Sequence, residues 1–456
     1  MNDQHARASG SPESAPALTT DTLPGSSQRH RTQPRTVAIV GLGYVGLPLA
    51  VIARRRGHTV YGIDIDDRRR ATIASAAVPD LEPSFVEALK KQPLDAAGTF
   101  EKVADADIVV ICVPTPVDHD RQPDLGPVIG AAESVGTYLR KGQLVILEST
   151  VHPSTCEEIV IPILEKRSGL IAGTDFDVAH CPERINPGDA FWTVQDIPRV
   201  VGGLNRRSLR RAAAFYRSVL DALVYEMASI REAEAVKMVE NSFRDINIAF
   251  VNELAMSFST LGIDVVHVIE GASTKPFGFM PHFPGCGVGG HCIPVDPYYL
   301  IRYAKEHGFD HELLALARSV NERMPAFTVN LATEALRTNG IPIEGATVAV
   351  LGLSYKANIS DLRESPSFEI VEELEGRGAS VRTFDPYALE RSSVQSLADA
   401  LDGAHAAIIA TAHADFAKLP PRTFASRGIG VVIDGRNCLP KEAYLAAGLA
   451  YRGIGR

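Results

Sequence analysis

The first strongly patterned stretch is "RTVAIVGLGYVGLPLAVIARRRGHTVYGIDID", residues 35–66. Thr36 to Val40 is a short continuous apolar run, which predicts a buried strand. A glycine turn follows. The apolar positions of "LPLAVIARRRG" then recur at helical spacing and stop at Gly57. "TVYGID" predicts the next strand, and strand–helix–strand is a βαβ unit, which implies a parallel sheet. "DADIVVICVPTP" and "QLVILEST" predict further strands of that sheet.

A different period sets in near Arg231. "REAEAVKMVENSFRDINIAFVNELAMSFSTLG" runs without Pro or internal Gly to Gly262. Val236, Val239, Phe243, Ile246 and Phe250 recur at threes and fours, which predicts one long helix with this stripe buried. A helix of that length outgrows a small domain; it is expected to join two domains and to pair with its copy in a dimer. Beyond it the opening pattern returns. "TVAVLGLSYKA" (347–357) echoes "TVAIVGLGYVG", "ASVRTFDP" echoes "HTVYGIDID", and "GAHAAIIATAHAD" echoes "DADIVVICVPTP". Ser354 and Ala357 stand where the first copy has Gly43 and Gly46, so the second sheet is expected to bind something other than a dinucleotide.

The expected organisation is α/β: two Rossmann-like parallel-sheet domains joined by a central helical domain with a long connecting helix. The divisions expected are 1–34, 35–228, 229–333 and 334–456. Residues 1–34 are rich in Ser, Thr, Pro and Gln and without period, which reads as a disordered tail.

Composition narrows the picture. The 456 residues exceed one ordinary core, and 45 % hydrophobic with 22 % charged is normal for a globular chain. No apolar run approaches the roughly 20 residues of a membrane span. A net charge of −9 argues against general nucleic-acid binding. Six scattered cysteines with no apolar leader segment read as free thiols in a reducing cytoplasm. Cys286, His291 and Cys292 are the nearest approach to a ligand cluster. Adjacent His and Cys suit one tetrahedral ion poorly and there is no CxxC pair, so no metal is expected.

The chemistry lies in three places. "GLGYVG" sets Gly41, Gly43 and Gly46 in the GxGxxG pattern after a strand and before a helix. The three permit a tight turn, backbone approach to a pyrophosphate, and close helix–strand packing. Asp64 ends the second strand, where a carboxylate accepts ribose hydroxyls, favouring NAD; Arg68, Arg69 and Arg70 nearby offer an alternative for a 2′-phosphate. Second, "GVGGHCIPVDP" holds Cys292 between glycines and prolines. It is either a buried structural thiol or a nucleophile whose pKa a helix beginning near Pro294 would lower. A thiol beside a nicotinamide implies aldehyde oxidation through a thiohemiacetal and thioester. Third, Lys237 and Asn241 share a helix face that Arg244 continues; a solvated charged face is the plainer account of that pair taken alone.

Taken together, "VAIVGLGYVGLPLA", "VPTP", "EST", "CPERINPGD", "VKMVENSFRDINIAFVNEL", "GVGGHCIPVDPYYL", "GLSYKANISDLRESPS" and "DGRN" resemble the nucleotide-sugar C6 dehydrogenases, from about Arg35 to the C-terminus. The resemblance implies a four-electron oxidation of a sugar C6 alcohol to a carboxylate using two NAD. It implies Cys292 as nucleophile, Lys237 and Asn241 as oxyanion donors, Asp296 in water and proton transfer, and Glu183 of "CPER" in the substrate loop. For NAD it points to Gly41, Gly43, Tyr44, Val45, Gly46, Asp64, Arg69, Thr115, Thr150 and Arg363. For a UDP-sugar it points to Arg184, Ile185, Lys237, Asn241, Lys356, Arg436 and the loop 274–287 with Lys275, Phe277 and Gly287. Arg244 is expected at substrate, across the dimer. For Lys356, Arg363 and Arg436 the plain alternative is surface charge. "GGHCIPVD" in place of "GGSCFPKD" resembles the enzymes of UDP-N-acetylhexosamines, with UDP-glucose the alternative. The implied setting is surface-polysaccharide synthesis, with no nucleic acid or membrane partner.

Overall fold

The computed structural model describes residues 33–78, 81–117, 123–185 and 193–456. Most of the expected tail, and Asn186 to Asp189 of "CPERINPGD", lie outside the described residues.

The first sheet has eight strands: β1 (Thr36–Val40), β2 (Thr59–Ile63), β3 (Ala96–Ala97), β4 (Ile108–Ile111), β5 (Leu144–Leu147), β6 (Asp177–His180), β7 (Arg199–Gly203) and β8 (Val224–Glu226). Their spatial order is 3-2-1-4-5-6-7-8. All pairs are parallel except β6–β7, which the alternation of apolar runs does not reveal. β1, β4 and β5 are nearly wholly buried, as continuous apolar runs covered on both faces must be. The second sheet holds β9 (Thr347–Leu351), β10 (Ser380–Phe384), β11 (Ala406–Ile409), β12 (Val431–Asp434) and β13 (Ala450–Gly453), all parallel, in the order 10-9-11-12-13.

Between the sheets runs the helix Ile230–Leu261, 32 residues long. Ser229 and Glu232 close a capping box at its start, and Gly262, at φ +68°, ends it. It packs on β7 and on the helices Asp296–Glu306 and Glu312–Glu322. Its buried face differs from the expected stripe. Ala233, Met238, Ser242, Asp245, Ala249 and Asn252 are buried, whereas Val239, Phe243 and Phe250 are 60 %, 49 % and 52 % exposed. Small and polar residues face inward because the interior there is a hydrogen-bonded network. Arg318 donates to Asp245 at 2.7 Å, Asn321 to Asp245 at 2.8 Å, and Asn252 to Asn321 at 2.8 Å. The Gly285 N–H donates to Asn252 at 3.0 Å, so the network also fixes the loop 274–287. Of the expected stripe, Val239, Phe243 and Phe250 are left on the outside of the chain, while Val236 and Ile246 are half-buried.

The glycine turn shows why two of its three glycines are obligatory for the fold itself. Gly41 sits at φ +88°, and a Cβ there would lie 2.6 Å from the Cys112 carbonyl oxygen. A Cβ on Gly46 would lie 1.9 Å from the Gly41 carbonyl oxygen. Gly46→Ala should therefore push the helix Gly46–Arg55 off β1, costing about 2 kcal/mol by overpacking. A urea titration measures it.

Candidate active site

A cleft of about 790 Å³ opens at the carboxyl ends of β1, β2, β4 and β5, where open α/β sheets take their ligands. Gly41, Gly43, Tyr44, Val45, Asp64 and Arg69 line one wall, Thr115 and Thr150 another, and Arg363 closes over them from the second sheet's side. Every residue singled out for the cofactor except Gly46 lines this cleft; Gly46 is packed against Gly41 instead. A Cβ on Gly43 would meet no protein atom within 4 Å, so the space above it is open to a ligand. Asp64 accepts from the Leu42 N–H at 2.8 Å and, through its other oxygen, from the Asp66 N–H at 2.9 Å. Each oxygen keeps capacity for a ribose hydroxyl. Arg69 donates to the Leu42 carbonyl at 2.8 Å, bracing the turn. Arg363 is paired with Asp361, and its guanidinium stands 5.5 Å from the centre of the Tyr44 ring. These features fit a dinucleotide.

Cys292 and Asp296 line the same cleft. The Asp296 N–H donates to the Cys292 carbonyl at 2.8 Å, as the helix Asp296–Glu306 begins. The helix start does not lower the thiol pKa as the sequence suggested. Burial first, then the Asp296 carboxylate, push it up to about 12, against the pull of Lys237 and Arg363. Asp296 is itself buried, which raises its carboxyl to about 7; Lys237 and the Asn241 amide, which donates to it, act in the opposite direction. Lys237 and Asn241, one turn apart on the long helix, thus stand beside Asp296 and Cys292 but do not themselves line the cleft.

The substrate-loop residues are engaged elsewhere. Glu183 lines the cleft, but one oxygen takes the Arg199 guanidinium at 2.7 Å and the other accepts the Arg184 and Ile185 N–H groups. The Arg184 side chain turns to the Pro198 carbonyl and to Glu240 on the long helix, and Ile185 packs on the first sheet's core. Arg436 reaches the Ala410 carbonyl at 2.8 Å and the Gly287 carbonyl at 3.3 Å, while its buried Nη2 lacks a hydrogen-bond partner. Lys356 is half-buried; Lys275 lies over the exposed Phe277 ring, and Arg244 is exposed. Gly287, at φ +135°, packs on Pro366.

His291, weighed in the sequence only as a metal ligand, and Glu148, which the sequence reading did not single out, also line the cleft. Glu148 accepts from the Tyr216 hydroxyl and lies 3.7 Å from the Cys112 sulfur; burial pushes its carboxyl up to about 7. Its position at the end of β5, inside "EST", was the available signal. Cys286 lies apart from Cys292, buried in the second sheet's core with its thiol 3.4 Å from the Ala410 carbonyl. Cys156, His180 and Glu234 bring three donor atoms within 4.8 Å of one another. The Glu234 oxygens are already taken by the Ser154 and Cys156 N–H groups at 2.6 and 2.8 Å.

A glycine-turn cleft at the carboxyl ends of a parallel sheet, with an open strand-end aspartate, is the architecture of an NAD-binding domain. Sequence comparison agrees in all three parts. The NAD binding domain of the UDP-glucose/GDP-mannose dehydrogenase family matches residues 35–220, its central domain 231–323 and its UDP binding domain 349–441. The chain belongs to this family and is an NAD-dependent nucleotide-sugar dehydrogenase. It is 40 % identical to the UDP-N-acetyl-D-glucosamine 6-dehydrogenase of Pseudomonas aeruginosa over 83 % of this chain and 91 % of that protein. The structure of a UDP-D-ManNAc dehydrogenase from Pyrococcus horikoshii superposes with a TM-score of 0.86 at 37 % identity, covering 92 % and 99 % of the two chains. That of a UDP-glucose dehydrogenase from Pyrobaculum islandicum gives 0.82 at 32 %, covering 94 % and 100 %.

Proposed function

We propose that the substrate is a UDP-N-acetylhexosamine, UDP-GlcNAc or UDP-ManNAc, oxidised at C6 to the uronic acid through a Cys292 thioester. The observation that carries this is the Cys292–Asp296 pair lining the cofactor cleft, with Asn241 bonded to Asp296 and Lys237 acting on both. Bound NAD supplies the hydride acceptor. Lys237 and Asn241 hold the developing C6 oxyanion, a role worth about 10²–10³ in rate for one such donor. Cys292 captures the aldehyde, keeping it from solvent. Asp296 takes a proton from the water that releases the acid. The unpartnered Nη2 of Arg436, with Lys356 and the loop 274–287, suits the diphosphate. The "GGHCIPVD" run and the N-acetylhexosamine relatives favour an acetamido sugar over UDP-glucose.

The exposed stripe of Val239, Phe243 and Phe250 supports a homodimer along the long helix, with Arg244 beside it reaching toward the partner's cleft. We take the domain divisions as 35–228, 229–333 and 334–456, although the last cuts the helix Met324–Thr338, whose Val329, Ala332, Ala335 and Leu336 pack in the second sheet's core. No helix among the described residues is long and apolar enough to cross a membrane. We place the enzyme in the cytoplasm, making a uronic acid for surface polysaccharide.

The purified enzyme should form two NADH per UDP-GlcNAc or UDP-ManNAc consumed, with an acidic product. Faster turnover of UDP-glucose would replace this substrate with the alternative, and a ratio of one would remove the thioester route.

A further inference from the structure

The Cys292 thiol has a neighbour that the reaction so far leaves unused. His291 Nε2 stands 3.5 Å from Cys292 Sγ, and both side chains line the cleft. The pair is held from behind. The Gly290 N–H donates to the Arg363 carbonyl at 3.0 Å, and Gly290 sits at φ +88° against the Tyr355 ring. The Cys292 carbonyl accepts from both Val295 and Asp296 N–H groups. The other candidate base, Asp296, has one oxygen bonded by the Asn241 amide and is assigned to the later water step.

We propose that His291 is the general base and acid of the Cys292 thiol. When sulfur attacks the aldehyde, the S–C bond forms and the thiol proton passes to His291 Nε2. The carbonyl π pair moves to O6, beside Lys237 and Asn241. Hydride loss to NAD leaves the thioester. Water then adds, with Asp296 taking its proton, the C–S bond breaks, and the imidazolium returns its proton to the departing sulfur. Cysteine and histidine end as they began.

The surroundings keep the imidazole basic-site free and the thiol protonated at rest. His291 is solvent-exposed in the cleft. Desolvation first, then the Arg363 and Lys237 cations, hold it down to about 4, with Asp361 opposing. Cys292 also faces Asp296, Lys237, Arg363 and Asp361, and Tyr355 lies near. A thiol this weak as an acid gains from losing its proton in step with S–C bond formation.

The inference rests on the thioester reading, and its test separates the two. In the full-length enzyme, His291→Ala should keep the first NADH-forming phase close to wild type and slow the second on the order of 10²-fold. Aldehyde should become trappable by hydroxylamine, and added imidazole should restore the second phase in proportion to its neutral form. His291→Gln, which keeps bulk and polarity, serves if the alanine variant does not fold and should show the same slowing. Iodoacetamide alkylation of Cys292, followed against pH without substrate, should be slower in both variants. A wild-type second phase in either folded variant overturns the proposal while leaving the thioester intact. Loss of alkylation rate without any wild-type turnover of a UDP-sugar would uphold the pair and overturn the function assigned to it.

Discussion

Cys292→Ala should end the reaction at the aldehyde. On the proposed roles, Lys237 and Asn241 hold the C6 alkoxide while it gives up the first hydride and becomes the aldehyde; neither is changed, so NADH should still form. Nothing then captures the aldehyde, and the second oxidation has no thiohemiacetal to act on. With hydroxylamine as trap, NADH per sugar should fall from two to one and no uronic acid should appear. Product analysis by mass spectrometry reads both at once. Two NADH and free acid from this variant would mean that the aldehyde is oxidised as its hydrate. The thiol at the inner end of the cleft would then be structural.

Asp296→Asn is the second change of comparable size, and it carries a pH signature. The buried carboxyl titrates near 7. As a base it gains strength as pH rises through that value, so hydrolysis of the thioester in the native enzyme should climb between about pH 6 and 8. The asparagine variant should lose about 10²–10⁴ of the rate and the pH dependence with it. An acyl-enzyme on Cys292 should accumulate and be visible in the intact mass. Stability should move the other way. The folded carboxyl binds its proton up to about 7, whereas the unfolded one releases it near 3.8. Between those values the native state holds more protons, so stability falls as pH rises and the deficit persists above 7. Asparagine removes the titration, and the variant should melt above the native enzyme at pH 8 and close to it at pH 4. An unchanged hydrolysis rate would assign water activation elsewhere.

The cofactor half of the site was legible in the sequence because its requirements are local. A turn that needs φ +88° at Gly41, and a helix that touches the Gly41 carbonyl at Gly46, leave glycine as the residue that fits. Asp64 follows at the end of the next strand, so spacing alone finds it. The Cys292 thiol's acidity was not legible. Burial decides it, and the opposing charges come from Lys237 and Arg363, 55 and 71 residues away in sequence. Arg184 was read as a substrate residue from its motif; Glu240, which claims it, sits on a helix that no local pattern brings near. The long helix teaches the same lesson. Its period marked an apolar stripe expected to be buried, yet Val239, Phe243 and Phe250 are exposed, because the polar network around Asp245 and Asn252 takes the inner face.

The two sheets also differ in what their matching acids have left to offer. Asp385 ends β10 as Asp64 ends β2. One of its oxygens is surrounded by the Leu353 and Ser354 N–H groups, the Ser354 hydroxyl and His413, at 2.7 to 3.0 Å; the other takes the Tyr387 N–H. Although burial opposes ionisation, the His413 bond and these backbone donors hold it well below the usual carboxylate range. That carboxylate has become part of the framework and is closed to a passing ribose. The consequence is kinetic. Two nucleotides of similar size, both built on a ribose diphosphate, meet one enzyme, and only one sheet offers an open acid to the dinucleotide. Excess NAD should therefore compete weakly with the sugar nucleotide for the second sheet, which inhibition kinetics at high NAD would read.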